Sequence, residues 1–353
     1  MISQQNILLF LVCAMLLLVN CRKDKTLPTP TYSPTPYNLD LPNNFPQMSI
    51  PEDNPLTNEG VLLGRHLFWD VRLSGDNSIS CASCHMPEYA FQDTAAVSVG
   101  IDGLYGKRNS MVLQNLGWAN NYFWDGRALT LEEQVLMPVE DPIEMHEKWS
   151  NFIAEIREDP KYETMFYEAF GVVGYDSTHA AKALAQFLRT MVSSNSQYDK
   201  VLRGEAVFTP TQQAGFDSFN ALSGGDCFHC HGGILTTDHS FKNNGLDANP
   251  VDSGRGLETG ISTDNFTFKV PSLRNLEFSG PYMHDGRFAT IDEVITHYST
   301  GLQHSSPNIS PLMEFSAQGG VQLDPQEMAE LKAFLLMFSD PDFINNPKFR
   351  NPW

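Results

Sequence analysis

Four cysteines fall in two identical frames, Cys81-Ala-Ser-Cys84-His85 and Cys227-Phe-His-Cys230-His231. This is the spacing of covalent haem attachment. The two thiols add to the two vinyl groups of the porphyrin, and the histidine that follows is then held beneath the iron. Paired cysteines have other uses. A local disulfide in each pair suits an oxidising compartment. A redox-active dithiol calls for a βαβ pattern that surrounds neither frame. A shared zinc would have to close across the 142 residues between Cys84 and Cys227, and gives no reason for a histidine behind both pairs. Two complete frames with no stray thiol in the mature body read as two c-type haems, one in each half.

A second repetition accompanies the frames. Leu113-Gln-Asn115-Leu116 answers Leu273-Arg-Asn275-Leu276, and nine residues after each asparagine comes Trp124-Asp-Gly-Arg127 or His284-Asp-Gly-Arg287. Thr130-Leu-Glu-Glu133 and Thr290-Ile-Asp-Glu293 follow in register. Asp-Gly marks a turn, and a threonine with acids behind it marks a capped helix start. Fourteen residues beyond Trp124 stands Pro138, and fourteen beyond His284 stands Tyr298. If the halves superpose, both positions face the open side of their iron. A tyrosine oxygen can ligate ferric haem and a proline cannot. Tyr298 is therefore the expected second ligand of the haem at His231, with its neighbour His297 or a merely packed aromatic as alternatives. The haem at His85 keeps a free position. An open iron beside a closed one suits an enzyme better than an electron carrier.

The elements that must position these groups read as mainly helical, since few runs alternate with period two. Apolar residues at helical spacing predict a helix from Ser177 to Tyr198. Asp324-Pro325-Gln-Glu327 predicts a capped start for a last helix running through Leu331, Phe334, Leu335 and Phe338. The glycine-rich stretch 224–260 reads as loop. Length favours two domains, placed at 55–203 and 204–353. The chain carries 23 Lys and Arg against 42 Asp and Glu, a formal charge of −19, which disfavours nucleic-acid binding and suits a basic protein partner. Residues Ile7 to Val19 form an apolar run too short to span a bilayer comfortably, and Leu18-Val19-Asn20-Cys21 after it resembles a lipoprotein signal. The expectation is an exported, periplasmic protein with residues 1–20 removed, Cys21 lipidated, and a Pro/Thr-rich tether over 21–54.

Further strings carry a family resemblance: Leu63-Gly-Arg-His-Leu-Phe-Trp-Asp-Val-Arg-Leu-Ser74, Phe123-Trp-Asp-Gly-Arg127, Pro138 with Glu144-Met145, and Val270-Pro-Ser-Leu-Arg-Asn275 with Pro281-Tyr-Met-His-Asp-Gly286. Over about residues 55–340 the chain resembles the bacterial dihaem cytochrome c peroxidases, including their MauG branch. The resemblance implies two cytochrome c-like domains with the haems near their interface, His85 serving the peroxidatic haem and His231 the electron-transfer haem. It implies Glu144 as the distal acid–base carboxylate, Gln134 and Pro138 as its pocket neighbours, and Trp124 as the indole between the haems. Asn109 with the backbone carbonyls of Ser279 and Pro281 matches a calcium site at the domain interface.

Two departures stand out. The better known peroxidases of the family place methionine where this chain has Tyr298, as the MauG branch does. They also carry a histidine that closes the first iron until reduction, and here Ile101 occupies that place. The resulting expectation is reduction of hydrogen peroxide to water, with electrons from a small cytochrome c or cupredoxin-type donor and no reductive activation. Two readings compete with it: a MauG-like enzyme that oxidises side chains of a protein client, and a non-enzymatic dihaem electron carrier.

Overall fold

The computed structural model describes residues 32–353. The expected signal segment, Cys21 and the first part of the tether lie outside the described residues. The described chain is mainly α-helical, with a single two-residue strand pair, Phe241–Lys242 against Phe268–Lys269. No helix among the described residues is long and apolar enough to cross a membrane.

Two hydrophobic cores are built by the same device. In the first, the helix Asn58–Phe68 crosses the helix Ser177–Arg189. Thr57 caps the former, its hydroxyl accepting from Gly60 N (3.0 Å), while its own N–H donates to Gln186 Oε1 (3.0 Å) on the latter. The helices meet at Gly64, where a Cβ would fall 2.0 Å from the carbonyl oxygen of Ala183 and 2.8 Å from Phe187 Cβ. In the second core the helices Pro210–Asn220 and Pro325–Leu335 meet at Gly215, whose absent Cβ would fall 2.0 Å from Glu330 O and 2.8 Å from Phe334 Cβ. Only glycine lets the backbones come this close. The contact then buries Leu63, Leu67, Phe68 and Phe187 on one side, and Phe219, Phe334 and Phe338 on the other. Each such side chain contributes about 1.5–3 kcal/mol.

The repeat read in the sequence extends to backbone conformation. Asn115 and Asn275 both take a left-handed conformation, at φ 58° and 60°, as do Phe123 and Met283, at 66° and 76°. Tyr122 pairs with Ala128 and Tyr282 with Phe288 around the Asp-Gly turns. Thr130 and Thr290 cap the helices Leu131–Glu140 and Ile291–Thr296, each in a reciprocal box with Glu133 or Glu293.

The repeat asparagines also tie the halves together. Asn115 Nδ2 donates to Ser193 O and Asn275 Nδ2 to Ser193 Oγ, both at 3.1 Å. Arg274 is fully buried, forked onto Asp199 at 2.7 and 2.8 Å, with Nε on Ile234 O at 2.9 Å.

Three features differ from the sequence expectation. The helix from Ser177 ends at Arg189, because the backbone N–H groups of Ser194 and Asn195 turn to the Asp340 carboxylate (2.9 and 3.0 Å) and a new helix starts at Gln197. Much of the expected tether lies on the body. Phe45 and Met48 are buried, Phe45 packs on Trp118, and Trp118 Nε1 donates to Pro46 O (3.0 Å). Phe343 and Phe349, placed by sequence in the second domain, pack in the first core.

Candidate active site

Each frame forms a turn of helix that sets its histidine. In the first, Ser80 N–H donates to Ser83 Oγ (3.0 Å), Cys81–Cys84 make one turn, and His85 N–H returns to Cys81 O (3.0 Å). In the second, His231 N–H returns to Cys227 O at 2.9 Å. Both rings are oriented by the same kind of partner. His85 Nδ1 lies 2.8 Å from the carbonyl of Phe91, and His231 Nδ1 3.3 Å from that of Thr236. A proton on Nδ1, donated to a carbonyl, leaves the Nε2 lone pair for a metal.

The thiols carry no disulfide. Burial pushes Cys81 and Cys227 up to about 12 and Cys230 to about 11, the opposite of the acidic thiol of a dithiol oxidoreductase. Next to the second frame lies an apolar cavity of about 240 Å³, lined by Cys227, Cys230, His231, Leu276, Leu335 and Tyr298, among others. Paired neutral thiols, an Nε2 left free and an apolar slot fit a covalently attached haem.

Tyr298 lies in a π-helical turn, His297–Gly301, that continues the helix begun at Thr290. It faces this cavity, and its hydroxyl accepts from Asn244 Nδ2 at 3.1 Å. The His297 ring instead has Nε2 3.3 Å from the backbone carbonyl of Asn244. Of the two candidates, Tyr298 is the one placed among the haem-frame residues.

Around the first frame, Gln134 and Pro138 share a face of the helix Leu131–Glu140. Pro138 lacks the N–H that would close onto Gln134 O, and its own carbonyl takes Met145 N–H at 3.3 Å, which folds Glu144 back towards this helix. Burial, helped by the nearby charge of Asp141 and opposed by Arg127, raises Glu144 to about 7. The Glu144 charge contributes, as the smallest of several causes, to raising both Cys81 and Cys84, so its carboxyl lies on the side of the first frame. Ile101 donates its N–H to Glu144 O at 3.0 Å and has no side-chain atom able to ligate a metal.

Trp124 is fastened at both ends. Its indole N–H donates to Asn109 O (2.9 Å), and its carbonyl accepts from Lys269 N (2.8 Å) in the second half. Asn109 Oδ1 and Pro281 O, two of the expected calcium ligands, both accept from Gln92 Nε2, at 3.0 and 2.8 Å. Ser279 is buried nearby on the same cavity wall.

Sequence reasoning missed Asn244 and Gln92, since a lone amide has no spacing that marks it. It also gave no role to His239. Both its ring nitrogens are buried without a partner, and burial beside Lys269 lowers it to about 4.

A family model described as di-haem cytochrome c peroxidase matches residues 58–207. The chain is 35% identical over 304 residues to the methylamine utilization protein MauG of Methylorubrum extorquens, covering 84% of this chain and 83% of that protein. It is 34% identical over 260 residues to the cytochrome c551 peroxidase of Nitrosomonas europaea, covering 71% and 76%. Among solved structures, a MauG-like protein associated with microbial copper homeostasis matches with a TM-score of 0.83 at 35% identity, covering 90% of this chain and 99% of that one. The diheme peroxidase BthA from Burkholderia thailandensis matches at 0.71 with 21% identity, a likeness of fold.

Proposed function

Because the chain belongs to the di-haem cytochrome c peroxidase family, we infer that Glu144 and Trp124 divide the work of a two-haem peroxidase between proton transfer at the first haem and electron transfer to the second. The protein carries two c-type haems and is an oxidoreductase that reduces hydrogen peroxide to water with electrons from a small redox protein. Each turnover consumes two electrons and two protons. When bound, the haem held by His85 would supply the chemistry that binds and cleaves the O–O bond.

What the chain supplies is proton handling and order. Glu144, raised to about 7, takes the proton from the inner oxygen of peroxide and returns it to the outer, leaving oxygen. The buried carboxyl of Glu144, folded back on the helix of Gln134 and Pro138 and kept protonated up to about 7, is what supports the reading. Gln134 and Pro138 lie on the helix against which the Glu144 segment folds, and Ile101 has no side-chain atom that could close the iron. With the haems bound, His85 and His231 would each hold one iron, and Tyr298 would supply a further ligand to the second. Trp124, bound to both halves, is the route for electrons between them. The test is steady-state peroxide turnover by the dihaem protein with a reduced cytochrome c, compared with Glu144→Gln at equal haem content.

A second reading, oxidation of side chains on a protein client, is favoured by Tyr298 on the second haem cavity. Peroxide-dependent modification of a co-purified protein would select it. Export to the periplasm and a lipid anchor at Cys21 complete the proposal. Mass spectrometry of the mature N-terminus tests both. The interface calcium of the resemblance fits less well. Asn109 Oδ1 and Pro281 O converge, but on Gln92 Nε2, an N–H group at the point a cation would need to occupy, and no step is routed through one.

A further inference from the structure

Gln92 stands where an interface cation would sit, and its orientation is fixed by its partners. Asn109 Oδ1 and Pro281 O can only accept, while the carboxamide nitrogen carries two hydrogens, one for each. Asn109 is fixed in turn, because its Nδ2 donates to Ala96 O (3.0 Å) and leaves Oδ1 turned to Gln92. Gln92 is 5% exposed and Asn109 is equally buried, so water does not freely replace these bonds. A calcium ion takes oxygen ligands at about 2.3–2.6 Å, and an N–H group is not one of them. To admit the ion, Gln92 would have to turn or leave and give up two buried hydrogen bonds.

We propose that the Gln92 carboxamide does the work of that cation, holding one oxygen from each half of the molecule and keeping the halves in register without a metal. The position is well suited to it. Gln92 directly follows Phe91, whose carbonyl orients His85, and it grips Asn109, whose carbonyl holds the Trp124 indole. One side chain thus steadies the proximal histidine of the first haem, the indole between the haems, and Pro281 of the second half. The inference rests on the two-haem reading for its meaning, but its readouts are metal content and melting, which a failure of peroxidase activity would leave untouched.

The experiment uses the dihaem protein, its Gln92→Ala and its Gln92→Glu variants. Calcium is measured in each as purified, and melting is followed in chelator and in added calcium chloride. The expected wild type holds no stoichiometric calcium and melts at the same temperature in both conditions. Gln92→Ala melts lower in chelator and is restored by calcium, which can then reach the vacated oxygens. Gln92→Glu, with a carboxylate in place of the amide, gains calcium and melts a few degrees higher with it. A wild type that carries one calcium per chain and loses stability when it is chelated overturns the proposal. So does a Gln92→Ala variant that melts like wild type in chelator. If neither variant accumulates, the wild-type metal content and chelator response decide alone.

Discussion

The backbone N–H of Ile101 donates to the backbone carbonyl of Glu144 at 3.0 Å, so the loop after the first haem frame is sewn to the segment that carries the acid–base carboxylate. On the proposed function, a residue at position 101 would thereby lie near the open side of the first haem, and its chemistry would decide whether that side stays open. Ile101→His supplies an imidazole at this point. The variant is expected to show a lag in peroxide turnover that pre-reduction removes, whereas the wild type shows none. Stopped-flow traces of the ferric proteins, with and without prior reduction, check this.

Glu144→Gln removes the proton carrier while keeping size and polarity. Turnover is expected to fall by about 10²–10⁴-fold with both haems retained. Initial rates normalised to pyridine haemochrome content measure it.

The weakened acidity of Glu144 sets a pH signature. Deprotonated Glu144 is the form that accepts the proton, so kcat/KM rises with an inflection near 7. Arg127→Ala removes an opposing positive charge and moves the inflection up. Asp141→Asn removes a negative one and moves it down. Stability runs the other way. A carboxyl whose folded value, about 7, exceeds its reference 4.5 adds stability that is full below 4.5 and is lost as the pH rises through 7. Denaturant melts over that window should show a fall that Glu144→Gln lacks.

Tyr298→Phe removes the only oxygen of that side chain from the second haem cavity. The low-spin EPR signal of the second haem is expected to disappear or change its g values, while haem content stays at two per chain. A His297→Ala variant with the wild-type low-spin signal excludes its neighbour. An unchanged signal in Tyr298→Phe would reject the ligand assignment.

Asp199→Ala strands the fully buried Arg274 guanidinium. Removing one partner of such a pair costs about 3–5 kcal/mol, so a large drop in the denaturant midpoint is expected. Replacing both residues with apolar side chains of similar volume should recover much of it.

The attachment chemistry and the repeat were readable along the chain because they are local. Two thiols and a histidine must be near neighbours to hold one haem, and a capping threonine finds its glutamate three residues on, as at Thr130 and Thr290. The mainly helical class followed from spacing alone. The end of the helix at Arg189 did not, because its cause is Asp340, far away in sequence. Nor did the packing of Phe45 and Met48, since a proline-rich run shows its stiffness in composition but not the surface that will receive it.

For the site, the two frames pointed to the residues that would hold the haems, the internal repeat pointed to Tyr298, and resemblance named Glu144 and Trp124. Only the tertiary structure decided their properties. The acidity of Glu144 arises from burial, which is set by what packs over it. Asn244 matters because it meets the Tyr298 hydroxyl from a separate loop, and Gln92 because Asn109 and Pro281 turn two oxygens towards it. Hydrogen bonding and desolvation depend on distances between segments far apart in the chain, so an amide acquires its role only when folding supplies the partner.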